Sequence, residues 1–163
     1  MTPEERQDKI ELYGRGPDLL KQALAELPKE MWQFRPAPGE WSIHEIIVHL
    51  ADSETNAALR ARLLIAQPGG TLMGYDQDVW ADKLYYHEQS TADALEMVRL
   101  ARATTYKLLR SLPEETWQHT VNHPEYDQPY SFEKWLDTYA GHIPNHIDQM
   151  RENHRIWQEG QKK

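Results

Sequence analysis

Cysteine is missing from all 163 residues. Disulfides, thiolate metal ligands and a cysteine nucleophile are thereby excluded, and histidine, carboxylate and water remain as ligands a metal could find here. Any thiol chemistry needs a thiol from outside the chain. Long apolar runs are missing too. No stretch approaches the roughly 20 apolar residues of a membrane span, and the N-terminus MTPEERQDKI lacks the apolar segment of a signal peptide. A soluble, cytoplasmic protein without a membrane partner is expected. Positive charge is in the minority: 18 Lys and Arg stand against 26 Asp and Glu, a formal net charge of −8, and no basic stripe interrupts the excess. That field repels polyanions, so nucleic acid is not an expected partner and a small molecule is. Nothing alternates as a strand, and the length suits one domain over residues 1–163.

What is present reads as helix. The first block opens with Thr2, Pro3 and Glu5 in the order of N-cap, N1 proline and capping-box glutamate. Its apolar residues run through Ile10, Tyr13, Leu20, Leu24 and Leu27, and Gly14, Gly16 and Pro17 predict a kink or interruption. The second begins at Ser42 with Glu45 as its capping box. Ile43, Ile46, Ile47, Leu50, Ala57, Ala61, Leu64 and Ile65 make one stripe before Pro68-Gly69-Gly70 ends it. A third helix is expected from about Ser90 to Leu112. The fourth starts near Ser131 and carries Phe132, Trp135, Leu136, Tyr139, Ile143, Ile147, Met150 and Trp157 at helical spacing. LPKEMWQ at 27–33 recurs as LPEETWQ at 112–118, each copy followed by a loop and a capped helix, which implies two helix-loop-helix halves. The link over residues 68–90 is too long for a tight turn. The expected fold is therefore all-α, a four-helix bundle with a long crossover connection.

Three histidines lie where such a bundle places metal sites. His142 and His146 are four apart, one turn along a helix, so both imidazoles can reach a single ion. His49 on the second helix could complete the set. At 100° per residue His49, Ser53, Asn56 and Arg60 form a polar stripe beside the apolar one, and His142 and His146, with Thr138 and Gln149, flank the stripe of the fourth helix. That edge-of-core placement suits the mouth of a bundle. Glu54 falls inside the apolar stripe, where a carboxylate needs an arginine or tyrosine partner and a structural hydrogen bond is expected of it. Asp52 and Glu45 lie within a turn of His49 but project outward, as solvated charges, and His44 projects to solvent. Pro144 removes the backbone bond to Ala140 and predicts a gentle kink off the ligand face.

The stretches FRPAPGEWSIHEIIVHLADSETNAALRARL, GYDQDVW at 74–80, His123-Pro124 and TYAGHIPNHIDQM resemble, in order and spacing, the DinB/YfiT-like superfamily, and within it the YfiT branch of metal-dependent hydrolases and bacillithiol transferases. The likeness spans about residues 18 to 150. It implies a four-helix bundle with a three-histidine metal site, His49, His142 and His146 being the ligands. His123, Tyr75, Asp76 and Trp80 occupy positions similar to the family's loops.

Three neutral nitrogen ligands leave coordination positions open and the double charge of the ion uncompensated, so water or a thiol bound there should ionise easily. Of the reactions this allows, the resemblance implies transfer of a low-molecular-weight thiol to an electrophile, with Asn56 and Arg60 expected to hold a carboxylate of the thiol or substrate. Hydrolysis by hydroxide generated at the ion, or a metal-binding stress or interaction module without turnover, are the alternatives. The expected cofactor is one divalent ion, zinc, nickel or iron, which three imidazoles do not distinguish. Trp32, Trp41, Trp80, Tyr85 and Tyr86 in the loops suggest apolar surface covered in a homodimer.

Overall fold

A computed structural model describes residues 1–162. Four long helices and one short one carry the chain: α1 (Pro3–Ala25), α2 (Ile43–Ala66), α3 (Gln77–Lys83), α4 (Thr91–Leu109) and α5 (Phe132–Gly160). Both capping boxes form. The Thr2 and Ser42 side chains accept from the Glu5 and Glu45 amides, and each glutamate accepts from the N-cap amide in return, satisfying amide donors that a helix start leaves unpaired.

The long helices form a four-helix bundle whose order follows from the contacts. α1 lies beside α4 and α5, and α2 lies beside the same two. Lys9 meets Asp137 and Glu26 meets Arg151, so α1 and α5 are parallel. Asp52 meets Tyr86, just before α4, and Arg62 meets Thr105, so α2 and α4 are parallel. Glu11 with Tyr106, and Trp41 with Asn153 and Arg60 with Tyr139, make the other two pairings antiparallel. The chain thus runs up, down, down and up. Between the parallel neighbours α2 and α4 it must return to its starting end, which residues 67–90 and α3 accomplish; this is the crossover the length of that link predicts. The two LPxExWQ-like copies form 3-10 turns at Lys29–Met31 and Glu114–Gln118. Each opens a connection between helices that stand diagonally across the bundle.

Two apolar clusters fill the interior. One gathers Leu20 to Leu27, Ile43 to Ala51, Val98 and Ile143 to Met150; the other gathers Ile10, Tyr13, Ala57 to Leu64, Leu109 and Phe132 to Ala140. Glu54 and Arg102, both fully buried, lie between them in every helix's register.

Several local expectations need correction. α1 is neither broken nor interrupted at Pro17. The Tyr13 carbonyl, which loses its helical donor to that proline, instead accepts from Arg102 Nη1 at 2.8 Å. A two-residue antiparallel pair, β1 (Thr120–Val121) with β2 (Tyr130–Ser131), sits in the second diagonal connection, too short for alternation to show. α4 ends at Leu109, before the expected Leu112. The loop aromatics do not form an exposed patch: Tyr86 is fully buried, Trp32, Trp41 and Trp80 pack against the core, and Tyr85 alone is exposed. No described helix is long and apolar enough to cross a membrane.

Candidate metal centre

α2 supplies His49 and the antiparallel α5 supplies His142 and His146. The ring centroids of His142 and His146 are 4.7 Å apart, and His49 stands 4.9 Å from His146 and 5.5 Å from His142. One nitrogen from each ring lies within 4.8 Å of the others, and no carboxylate joins this group among the described residues. α5 continues through Pro144, and the paired imidazoles have not diverged.

The environment keeps His49 and His146 neutral. Burial, aided by the neighbouring His146 and His142, pushes His49 down to about 3. Burial and His142 push His146 down to about 4. A neutral imidazole needs one nitrogen for its proton and offers the other as a lone pair. His142 Nδ1 lies 3.1 Å from Glu54 Oε1, and His146 Nδ1 lies 2.9 Å from Gln149 Oε1. Both proton-bearing sides are thus accounted for, with Nε2 free in each ring. His49 Nδ1 is buried without a hydrogen-bond partner, an arrangement that costs free energy unless an outside group satisfies it. Three imidazole nitrogens converging in a half-buried site, one ring incompletely satisfied by protein, fit a divalent cation.

The acidic residues nearby divide the work differently from expectation. Glu45 does not project outward as a solvated charge. It is 2 % exposed, caps α2 and pairs with Arg35; burial pushes its carboxyl up, but Arg35 and Ser42 outweigh this and hold it below the ordinary range. Asp52 is half-buried and accepts from the Tyr86 hydroxyl at 2.6 Å. His44 is half-buried too, its Nδ1 3.0 Å from Gln33 Nε2, because the first diagonal connection folds back over the start of α2. The carboxylate that reaches one of the three histidines is Glu54, and its partner is an arginine, Arg102, bound through both oxygens at 2.9 and 2.6 Å. Arg102 has a sequence signal that reading for ligands alone passes over. It stands in the buried stripe of α4 with Ala94, Val98, Thr105 and Leu109, where an arginine must have a counter-charge.

Farther along α2 the polar stripe divides. Asn56 donates to the Asp52 carbonyl of its own helix at 2.9 Å. Arg60 reaches Tyr139 Oη and the Met73 carbonyl, each at 3.1 Å, and faces the Tyr75 ring. Its Nε is buried and unpaired. A recess of about 430 Å³ opens here, lined by Arg60, Tyr75, Asp76, Gln77 and Glu125. A second, of about 300 Å³, opens on His146, Gln149 and Trp41 and also meets Gln77. The crossover therefore roofs both, with Tyr75 stacked 4.3 Å from Trp80. His123 is buried against Tyr126 and Tyr130, and burial with the nearby Arg60 pushes its pKa down.

The sequence model of the DinB superfamily matches residues 12–150. The chain belongs to the DinB superfamily. A relative from Oceanobacillus iheyensis is 30 % identical over 131 residues, 80 % of this chain and 75 % of the relative. YfiT of Bacillus subtilis is 26 % identical over 152 residues, 91 % of this chain and 84 % of its own. Both carry names that assign them, by inference, to the metal-dependent hydrolases. The solved structure of YfiT, described as a four-helix bundle of unusual topology, superimposes with a TM-score of 0.87 at 22 % identity, covering 95 % of this chain and 89 % of that one. This DinB protein shares that fold.

Proposed function

We propose that His49, His142 and His146 hold one divalent ion, zinc, nickel or iron, and that the protein uses it to transfer a low-molecular-weight thiol to an electrophilic small molecule. The observation that carries this reading is the convergence of three imidazole nitrogens, that of His49 buried and those of His142 and His146 half-buried, within 4.8 Å without a carboxylate among them. When bound, such an ion acts as a Lewis acid that lowers the pKa of a coordinated thiol or water.

The surrounding residues favour a thiol as nucleophile. Hydrolysis of an amide must deliver a proton to the leaving amine, and the carboxylate hydrogen-bonded to the triad, Glu54, is engaged through both oxygens by Arg102. Thiol transfer asks less of the protein. The sulfur–carbon bond forms, the leaving group departs with the bonding pair, and the thiol proton passes to solvent. Arg60 has no carboxylate within ion-pair distance among the described residues and lines the neighbouring recess, where it would hold a carboxylate of the thiol or substrate. Asn56 donates one amide hydrogen to the Asp52 carbonyl of α2 and would offer its second to the same carboxylate.

Hydrolysis is the second reading, and the names of the relatives favour it. The test is conjugation of a broad electrophile across a panel of cellular thiols, with and without added metal. Metal-dependent conjugation supports the transferase, metal-dependent turnover with water alone supports the hydrolase, and metal uptake without turnover leaves a binding module.

A further inference from the structure

We propose that Glu54, fixed by Arg102, is the positioning residue for His142: it holds the imidazole proton on Nδ1 and so presents Nε2 to the centre. This role rests on the metal reading of the three histidines. Glu54 Oε1 lies 3.1 Å from His142 Nδ1, and Glu54 is completely buried. A carboxylate bound by a guanidinium through both oxygens is acceptor-only, so the remaining bond must run from Nδ1–H to Oε1. A ligand imidazole whose far nitrogen donates to a carboxylate is fixed in tautomer and made more basic.

What distinguishes Glu54 is how rigidly it is held. Arg102 donates to the Tyr13 carbonyl at 2.8 Å and to the Tyr139 carbonyl at 2.6 Å, and its guanidinium lies 4.2 Å from the Tyr13 ring centroid. The first of these carbonyls is the one Pro17 deprives of its helical donor; the second is next to Ala140, which Pro144 deprives in the same way. All four bundle helices therefore meet in this network: Tyr13 from α1, Glu54 from α2, Arg102 from α4, Tyr139 and His142 from α5. The other ligands lack such support. His146 bonds a half-buried amide one turn along its own helix, and His49 Nδ1 has no partner.

The test compares Zn²⁺ affinity, by chelator competition at a temperature far below unfolding, in the wild type, Glu54→Gln and the double variant Glu54→Met/Arg102→Met. The double variant removes the ion pair without leaving a lone buried charge. The ¹⁵N spectrum of His142 in the metal-free wild type is the independent readout. The expected result is a proton confined to Nδ1 in the wild type and Zn²⁺ binding weakened about 10- to 100-fold in folded Glu54→Gln. A merely structural Glu54 would lower the unfolding temperature and leave affinity unchanged. Wild-type affinity in either folded variant, or a proton on His142 Nε2, overturns the proposal. A wild type that takes up no Zn²⁺ overturns the metal reading, and this role with it. A wild type that binds Zn²⁺ beside an equally tight Glu54→Gln overturns the role of Glu54 alone.

Discussion

At the scale of single residues, each histidine of the triad differs in what its far nitrogen does, and substitutions should report this. His49→Ala and His146→Ala are expected to remove most of the roughly one equivalent of divalent ion per chain while far-ultraviolet circular dichroism stays helical, because two imidazoles bind far more weakly than three. Full metal occupancy in the His49→Ala protein would refute the ligand assignment. Arg60 is separated from His49 by about three helical turns and bonds Tyr139 and Met73. Arg60→Ala should therefore raise KM for a carboxylate-bearing thiol about tenfold or more, the scale of one lost charge-assisted bond, with metal content unchanged. Steady-state kinetics beside metal analysis decides the point; an unchanged KM would remove Arg60 from the recess's proposed chemistry.

At the scale of elements, the bundle depends on close approach where α1 passes α4. A Cβ on Gly16 would sit 2.6 Å from Arg102 Nη1 and 3.0 Å from Ile143 Cδ1, whereas a Cβ on Gly14 would meet the Tyr106 ring at 2.8 Å. The two cases differ in what can yield. Arg102 is pinned by Glu54 and two carbonyls, while Tyr106 is half-buried, with its hydroxyl bonded to Glu11 and its ring facing the exposed Arg110. Gly16→Ala should cost about 1–3 kcal/mol through overpacking, and Gly14→Ala distinctly less, since alanine's better helix propensity offsets a ring that can swing aside. Urea unfolding of both variants tests this, and equal losses would show that Arg102 is as mobile as Tyr106.

At the scale of the molecule, the buried histidines set the response to acid. In the unfolded chain a histidine takes up its proton near 6.5; in the folded, metal-free protein His49 does so at about 3 and His146 at about 4. As pH falls below about 6.5 the unfolded state binds protons that the folded state refuses, so stability is full above that value and lost toward pH 4. Each histidine contributes a slope of about 1.4 kcal/mol per pH unit inside this window. Glu45, held below the ordinary carboxylate range, adds its loss only at lower pH, as the pH falls through its own folded value. Urea unfolding of metal-free protein at pH 8, 6 and 5 should show the decline beginning with the histidines, and His49→Gln should flatten it. Constant stability from pH 8 to 5 would contradict the burial argument.

Much of this was legible in the chain itself. The caps at Thr2 and Ser42, the apolar stripes of α2 and α5 and the four-residue spacing of His142 and His146 are local features, and local sequence determines them because backbone capping and helical periodicity act within a few residues. The long link before α4 likewise announced a crossover. The absence of cysteine ruled out thiolate ligands and disulfides from the start. Other features depended on residues far apart in sequence. That Glu54 is matched by Arg102, 48 positions away, that Arg102 also repairs the carbonyl Pro17 leaves open, and that Glu45 turns inward to Arg35 while Asp52 takes the Tyr86 hydroxyl follow from how four helices pack. Burial removes water as the alternative partner for every polar group it encloses, so the packed helices decide which charges meet, and no spacing along one helix contains that information.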